Sequence, residues 1–328
     1  MNWLCLTVRR HGLIRIGVSD LLPSGLPLET FEDVARGLTP RVRETLDAME
    51  GRIDTFLASV MGESFEDRLS RIDLHLGAGG VDDFGLDPKW AKYGFFGAAV
   101  LYRHYFRCEV QGLENAPAGR ALFIANHSGQ IPIDAAMIGA AIFLEGDPPR
   151  VVRSMIEKWT QTLPFVSTFF SRMGQVVGLP ENAKRLLESE EALLVFPEGV
   201  GGVSKTYDRA YQLAEFGLGF MRLAIETNTP IIPVSVVGAE EQYISIGSLP
   251  GVAKMLGLPV LPIIPQLFVP GGQLPLPVKY RIAFGTPMFF DGDPDDDDAV
   301  LEEKVWVVKT AIQQMLHDGL AKRKGIFF

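Results

Sequence analysis

At 328 residues with 47% hydrophobic content, the chain has enough apolar material for one large domain with an appendage, or for two domains. Its net charge of −9 is concentrated: six acids fall within Asp291–Asp298 and the remaining residues sum to −3. No basic stripe of the kind that grips a phosphate backbone is present, which argues against nucleic acid as a partner.

Mean hydropathy is +0.15, high for a soluble protein, yet no run of about 18 uncharged apolar residues reads as a spanning helix. The composition suits a chain that touches a membrane without crossing it. Two cysteines, Cys5 and Cys108, make neither a disulfide framework nor a zinc spacing and point to a reducing compartment. In the N-terminal stretch Arg9-Arg10 follows the short apolar run, the reverse of the order in a signal peptide. The expected location is cytoplasmic and peripheral to a membrane.

Between residues 28 and 61, Phe31, Val34, Leu38, Val42, Leu46, Met49, Ile53, Phe56 and Val60 recur at spacings of three and four. Thr39-Pro40 reads as an N-cap followed by Pro at the first helical position, which predicts a main helix from Pro40 to about Met61. Its apolar stripe suits packing on the domain behind it, with a membrane surface or a dimer partner as alternatives. The loop-like GAGGVDDFGLD, Gly77–Asp87, marks a boundary. The expected organisation is an N-terminal helical region over 1–88 and an α/β domain over 89–328.

After that boundary, strands are predicted near Cys108–Gln111, Ala121–Ala125, Arg150–Ser154, Gln175–Val177, Ala192–Phe196, Ile231–Val237 and Lys279–Phe284. Helices are predicted near Trp90–Tyr105, Ala135–Leu144, Glu157–Arg172, Glu181–Ser189, Phe216–Thr227 and Ala299–Leu320. Such alternation predicts an α/β fold: a mostly parallel, or mixed, sheet of about seven strands flanked by helices, with a helical N-terminal appendage.

Ala121–Ala125 is a short apolar run that suits a buried strand. Asn126 begins the polar part, and His127, Ser128, Gly129 and Gln130 stand where the strand ends. Asp134 follows near the start of the next helix. Ligands bind at that edge of an open α/β sheet. A His close to an Asp has the makings of a general base whose tautomer the carboxylate fixes, and a surface turn is the bland alternative. A second apolar strand ends at Pro197-Glu198-Gly199, so Glu198 shares the edge with His127. Glycines 199, 201 and 202 let a ligand approach the backbone, and Lys205 and Arg209, four apart, would put two cations on one helix face. A solvated turn followed by an ordinary helix is the plain alternative. The glycine fingerprints of dinucleotide and triphosphate sites and the G-x-S-x-G elbow are absent.

The blocks NHSGQIPID, FPEGVGGVSK with Arg209, and TPIIPVSVVGAEE resemble, in order, those of the glycerolipid acyltransferase superfamily: lysophosphatidate-type enzymes and their monoacylglycerol acyltransferase-like relatives. The resemblance covers roughly residues 100–290. It implies that His127 is the general base, Asp134 its orienting partner, and Glu198-Gly199 part of the acceptor site. Two departures stand out. Six residues separate His127 from Asp134 where most relatives have four, and Val200 stands where lysophosphatidate-type enzymes carry the Arg that binds the acceptor's phosphate. Lys205 and Arg209 would then substitute as phosphate ligands, or the acceptor is neutral. The implied reaction moves a long-chain acyl group from acyl-CoA or acyl-ACP to a lipid hydroxyl, with the thioester as co-substrate and no cofactor or metal. The alternatives are an inactive lipid-binding or membrane-tethering protein of the same fold, and an acyl thioesterase.

Between Gln242 and Phe290 there is no Asp or Glu, and Gly247–Val278 is rich in Leu, Val, Ile, Pro and Gly. Its prolines rule out a spanning helix and predict either an interfacial flap that carries the protein onto a bilayer or a lid packed inside the fold. Asp291, Asp293, Asp295 and Glu302 match positions 1, 3, 5 and 12 of a calcium loop, but Asp296 occupies its glycine position. An acidic helix start favoured by the macrodipole is the simpler account.

Overall fold

The computed structural model describes residues 3–4, 16–17, 40–127, 131–162, 165–255 and 260–328. Phe31, Val34, Leu38 and Thr39 of the amphipathic stripe, Cys5, and the turn residues Ser128, Gly129 and Gln130 lie outside the described residues.

The chain forms two compact units, Met1–Ile53 and Asp54–Phe328. In the first, Trp3–Leu4 pairs antiparallel with Ile16–Gly17. Helix α1 (Pro40–Met61) begins at the predicted proline.

Buried chemistry ties residues 65–82 into the second unit. Arg68, on helix α2 (Phe65–Ser70), is almost fully buried and donates to the carbonyls of Phe143 and Gly146. Phe65 packs 5.5 Å from Phe143. Asp82, inside the glycine-rich loop, is buried against Arg153 at 2.6 Å, and Arg153 also meets Glu191 at 3.0 Å. The stretch that reads as a linker therefore supplies one carboxylate of a buried ion triad.

Seven strands build the main sheet: β1 (Glu109–Gln111), β2 (Ala121–Ala125), β3 (Val152–Ile156), β4 (Val176–Val177), β5 (Ala192–Val195), β6 (Ile231–Val237) and β7 (Arg281–Phe284), in the order β1-β7-β6-β2-β5-β3-β4. Every pairing is parallel except β7 with β6. This is the predicted mixed, mostly parallel sheet. β2 and β6 carry no polar alternation because both of their faces are covered, and each of their residues is buried.

On one face, Leu122 and Ile124 pack with helices α6 (Pro180–Glu188), α8 (Gly219–Glu226) and α10 (Asp298–Lys322), the last through Leu301, Val305, Val308, Ile312 and Leu316 at helical spacing. Phe123 points the other way, onto Phe284. That second face is closed by α3 (Pro88–Val100) and α4 (Ile133–Glu145), whose Phe95 and Phe143 stack at 3.9 Å.

Two predicted helices are interrupted. The Trp90–Tyr105 helix starts earlier, capped by Asp87 with Pro88 in its first turn, and ends in a π-helical turn over Leu101–Tyr105. The Glu157–Arg172 helix is a 3-10 stretch, Lys158–Thr162, followed by α5 (Val166–Arg172); Pro164 between them has no N–H to donate and disfavours helix before it. Among the described residues no helix is long and apolar enough to cross a membrane.

Candidate active site at the carboxyl edge of the sheet

β2 and β5 lie side by side and parallel, so the turns that follow them emerge at one edge. Asn126, fully buried, continues the ladder with its side chain: Nδ2 donates to the Val236 carbonyl at 3.1 Å, and Oδ1 accepts the Val236 N–H at 2.8 Å. This fixes the backbone one residue before His127. The His127 ring then lies 14% exposed, with Nδ1 2.8 Å from Oδ2 of Asp134 and Phe196 stacked on it at 4.1 Å.

Asp134 is fully buried in the first turn of α4, where the helix dipole favours a negative charge. Its Oδ1 accepts the N–H of Ala135 at 2.8 Å. The six residues between the pair thus do not prevent contact. With Nδ1 committed to the carboxylate, the ring is held in the tautomer that leaves Nε2 basic.

Glu198, three residues past the end of β5, is also buried. Its Oε1 accepts the backbone N–H of His127 at 2.9 Å, its Oε2 accepts the N–H of Ala214 at 2.7 Å, and Oε2 also meets Lys205 Nζ at 3.2 Å. Lys205 in turn reaches Oε1 of Glu240 at 3.0 Å, while Oε2 of Glu240 accepts the Tyr211 N–H at 2.9 Å. Burial pushes the Glu240 carboxyl above the ordinary carboxylate range, and Lys205 opposes that shift.

The family model described as Acyltransferase matches residues 107–237, the stretch from just before β1 to the end of β6 that contains this whole constellation except Glu240. An uncharacterized protein of Mycobacterium leprae is 37% identical over 262 residues, covering 76% of this chain and 70% of that protein. The chain belongs to the acyltransferase family. The resemblance carried by the three sequence blocks is thereby borne out. An uncharacterized protein of Mycobacterium tuberculosis is likewise 37% identical, over 76% of this chain and 72% of its own length. A mouse protein named DGAT1/2-independent enzyme synthesizing storage lipids is 28% identical, over 67% of this chain and 62% of its own length. The crystal structure of the 1-acyl-sn-glycerophosphate (LPA) acyltransferase PlsC from Thermotoga maritima aligns at 16% identity with a TM-score of 0.46, over 72% of this chain and 80% of that one, a likeness too loose to carry the assignment.

Within the acyltransferase domain, His127, Asp134, Glu198 and Lys205 come together, with Gly199 in the turn at φ +51°, a region that suits glycine. Lys205 and Arg209 do not share a helix face. Helix α7 (Val200–Val203) stops after one turn, Lys205 lies beyond it, and Arg209 closes a separate 3-10 turn, Tyr207–Arg209, where it is exposed. Gly201-Gly202 explains the early stop, since glycine disfavours helix continuation. Asn126, Phe196, Tyr211 and Glu240 carry parts of the site that sequence reasoning left without a role. Glu240 had a legible signal, being a carboxylate just past the end of a buried, mostly apolar strand, the same pattern that picks out His127 and Glu198.

Gly202 is a sensitive position in the acyltransferase. A Cβ there would sit 2.8 Å from His127 Cβ and 3.1 Å from its carbonyl oxygen. Gly202→Ala is expected to displace the histidine by a few tenths of an ångström and lower kcat by ~10-fold or more while the melting temperature changes little. Unchanged kcat in a folded Gly202→Ala protein would show that the packing against His127 is slack.

Among the described residues no group of three or more His, Cys, Asp or Glu could hold a metal ion. The Asp291–Asp298 run leads into α10, with Lys304 donating to the Asp291 carbonyl and lying 3.7 Å from Asp296.

Proposed function

We propose that this acyltransferase moves a long-chain acyl group from a thioester, on coenzyme A or acyl carrier protein, to a hydroxyl of a glycerolipid, with His127 as general base and Asp134 as its orienting partner. The observation that carries this reading is the 2.8 Å contact of Nδ1 with a fully buried carboxylate, which reserves Nε2 for a substrate proton. The acceptor oxygen attacks the thioester carbonyl carbon as Nε2 takes its proton. Collapse of the tetrahedral intermediate breaks the carbon–sulfur bond, and the imidazolium returns the proton to the departing thiolate, giving an ester and a free thiol. Backbone N–H groups of the glycine-containing turns hold the oxyanion in this scheme. Glu198 and Gly199 shape the acceptor side. Palmitoyl-CoA incubated with a glycerolipid acceptor should yield free thiol and new ester in equal amounts; thiol without ester would instead indicate a thioesterase.

The reading includes a cytoplasmic membrane surface as the source of the acceptor. The chain leaves β6 at the edge that holds His127 and enters a stretch of short elements: Gly247–Ser248 paired with Pro262–Ile263, helix α9 (Pro250–Met255) and a 3-10 turn, Pro265–Phe268. Met255 and Phe268 are 77% and 84% exposed, Ile246 and Leu274 are also exposed, and no acid lies between Gln242 and Phe290. Such a face suits a bilayer better than a buried lid. Leu256 lies outside the described residues. A Met255→Glu, Phe268→Glu double variant is expected to lose most of its flotation with phosphatidylglycerol-containing vesicles; retained flotation of the folded variant would remove this stretch from the membrane contact.

A further inference from the structure

We infer that the acceptor presents its hydroxyl on a lipid with an uncharged head group, Lys205 serving as a buried tie within the site and not as a ligand for a phosphate. The inference rests on the acyl-transfer reading above and narrows its substrate.

Lys205 contacts Glu198, the residue that binds the His127 N–H, and it is already spent. Its side chain is 8% exposed and its Nζ is shared between Glu198 at 3.2 Å and Glu240 at 3.0 Å. Drawing that ammonium toward a phosphate would leave Glu198 buried without a counter-ion, and Glu198 is the group that holds the backbone N–H of His127. Recruiting the lysine for the acceptor would loosen the base that has to activate it. The remaining charges point the same way. Asp134, Glu198, Glu240 and Glu241 are buried acids at this edge, Arg323 is paired with Glu241, and Arg209 stands exposed on the separate Tyr207–Arg209 turn. A phosphate placed beside the transferred hydroxyl would face like charge, which penalises it relative to a neutral head group.

The cleft next to Lys205 has the complementary chemistry. It is lined by Gly202, Thr206, Tyr207, Tyr243 and Ser245 together with Lys205 and Glu240. The cleft has room for about one small group, some 10 Å³, and its Tyr243 and Ser245 hydroxyls already donate to the carbonyls of Gln273 and Gly247, so they and the Glu240 carboxylate offer acceptor oxygens, which suit a hydroxyl better than a phosphate.

The test compares monoacylglycerol, diacylglycerol and lysophosphatidate as acceptors for palmitoyl-CoA, in wild type, Lys205→Met, Lys205→Arg and Arg209→Ala. A neutral acceptor is expected to be preferred by ~10-fold or more in kcat/KM. Lys205→Met should lower kcat ~10-fold or more with little change in acceptor KM, and Lys205→Arg should recover part of that loss. Preference for lysophosphatidate would overturn the inference, as would a KM for lysophosphatidate that rises selectively in Lys205→Met or Arg209→Ala. Should Lys205→Met fail to fold, as judged by circular dichroism, the wild-type ranking of acceptors decides alone. Acceptor-dependent transfer with lysophosphatidate alone sinks the neutral head group and leaves acyl transfer standing, whereas no transfer to any acceptor sinks both.

Discussion

His127→Ala should reduce acceptor-dependent release of coenzyme A by ~10³-fold or more, because no other described group at this edge is placed to take the hydroxyl proton. Lys205 is locked between two carboxylates, and Glu198 accepts two backbone N–H groups, so neither is available as a substitute base. His127→Gln should be equally inactive, since an amide fills much of the same space without accepting a proton at neutral pH. The pair of variants separates chemistry from architecture. Both retain the backbone N–H that Glu198 binds, so both should fold and keep the acceptor-side turn in place. Thermal melting together with steady-state thiol release provides the check. Residual activity within ~10-fold of wild type in folded His127→Gln would move the general base elsewhere.

The largest expected loss of stability lies far from the chemistry. Arg153→Met should cost ~3–5 kcal/mol in urea unfolding, because it strands two buried carboxylates. Arg153 is fully buried, donates to Asp82 at 2.6 Å and makes two contacts with Glu191, at 3.0 and 3.2 Å. Asp82 organises its own loop by accepting the N–H groups of Phe84 and Leu86, at 2.9 and 2.7 Å. The triad therefore ties the glycine-rich loop to β3 and to the residue before β5. Adding Asp82→Asn and Glu191→Gln to Arg153→Met should return part of the lost stability, since the unpaired charges are then gone. Simple addition of three separate losses would show that the arginine contributes through its packing and not through its charge.

Much of the scaffold is legible in the sequence wherever burial alone decides. β2 and β6 fall on the predicted residues, Ala121–Ala125 and Ile231–Val237, because a strand covered on both faces is a continuous apolar run. α1 begins at Pro40 as its Thr-Pro start signal indicates. What sequence reasoning misplaced depends on distant partners or on local breaks. Nothing near Arg68 or Asp82 in the chain announces that Phe143, Gly146 and Arg153 will receive them. The i,i+4 reasoning for Lys205 and Arg209 presumes a helix that Gly201-Gly202 does not sustain. The site was readable to the extent that polar residues terminate apolar strands: His127 after β2, Glu198 after β5 and Glu240 after β6. The tie through Lys205 was not, because it joins carboxylates from two strand ends that only the parallel register brings together.

The proposed mechanism requires His127 and Asp134 to act as one unit in transfer to a lipid hydroxyl. A double-mutant cycle on kcat, using His127→Ala, Asp134→Asn and the two combined, tests it most directly. Asp134→Asn alone should cost ~10²–10⁴-fold, by exposing the wrong nitrogen and withdrawing the charge that supports the imidazolium. The double variant should be no slower than His127→Ala, because the carboxylate has nothing left to orient. If Asp134→Asn instead costs as much in the His127→Ala background as in the wild type, the two side chains act independently, and the 2.8 Å contact between them is not the catalytic unit.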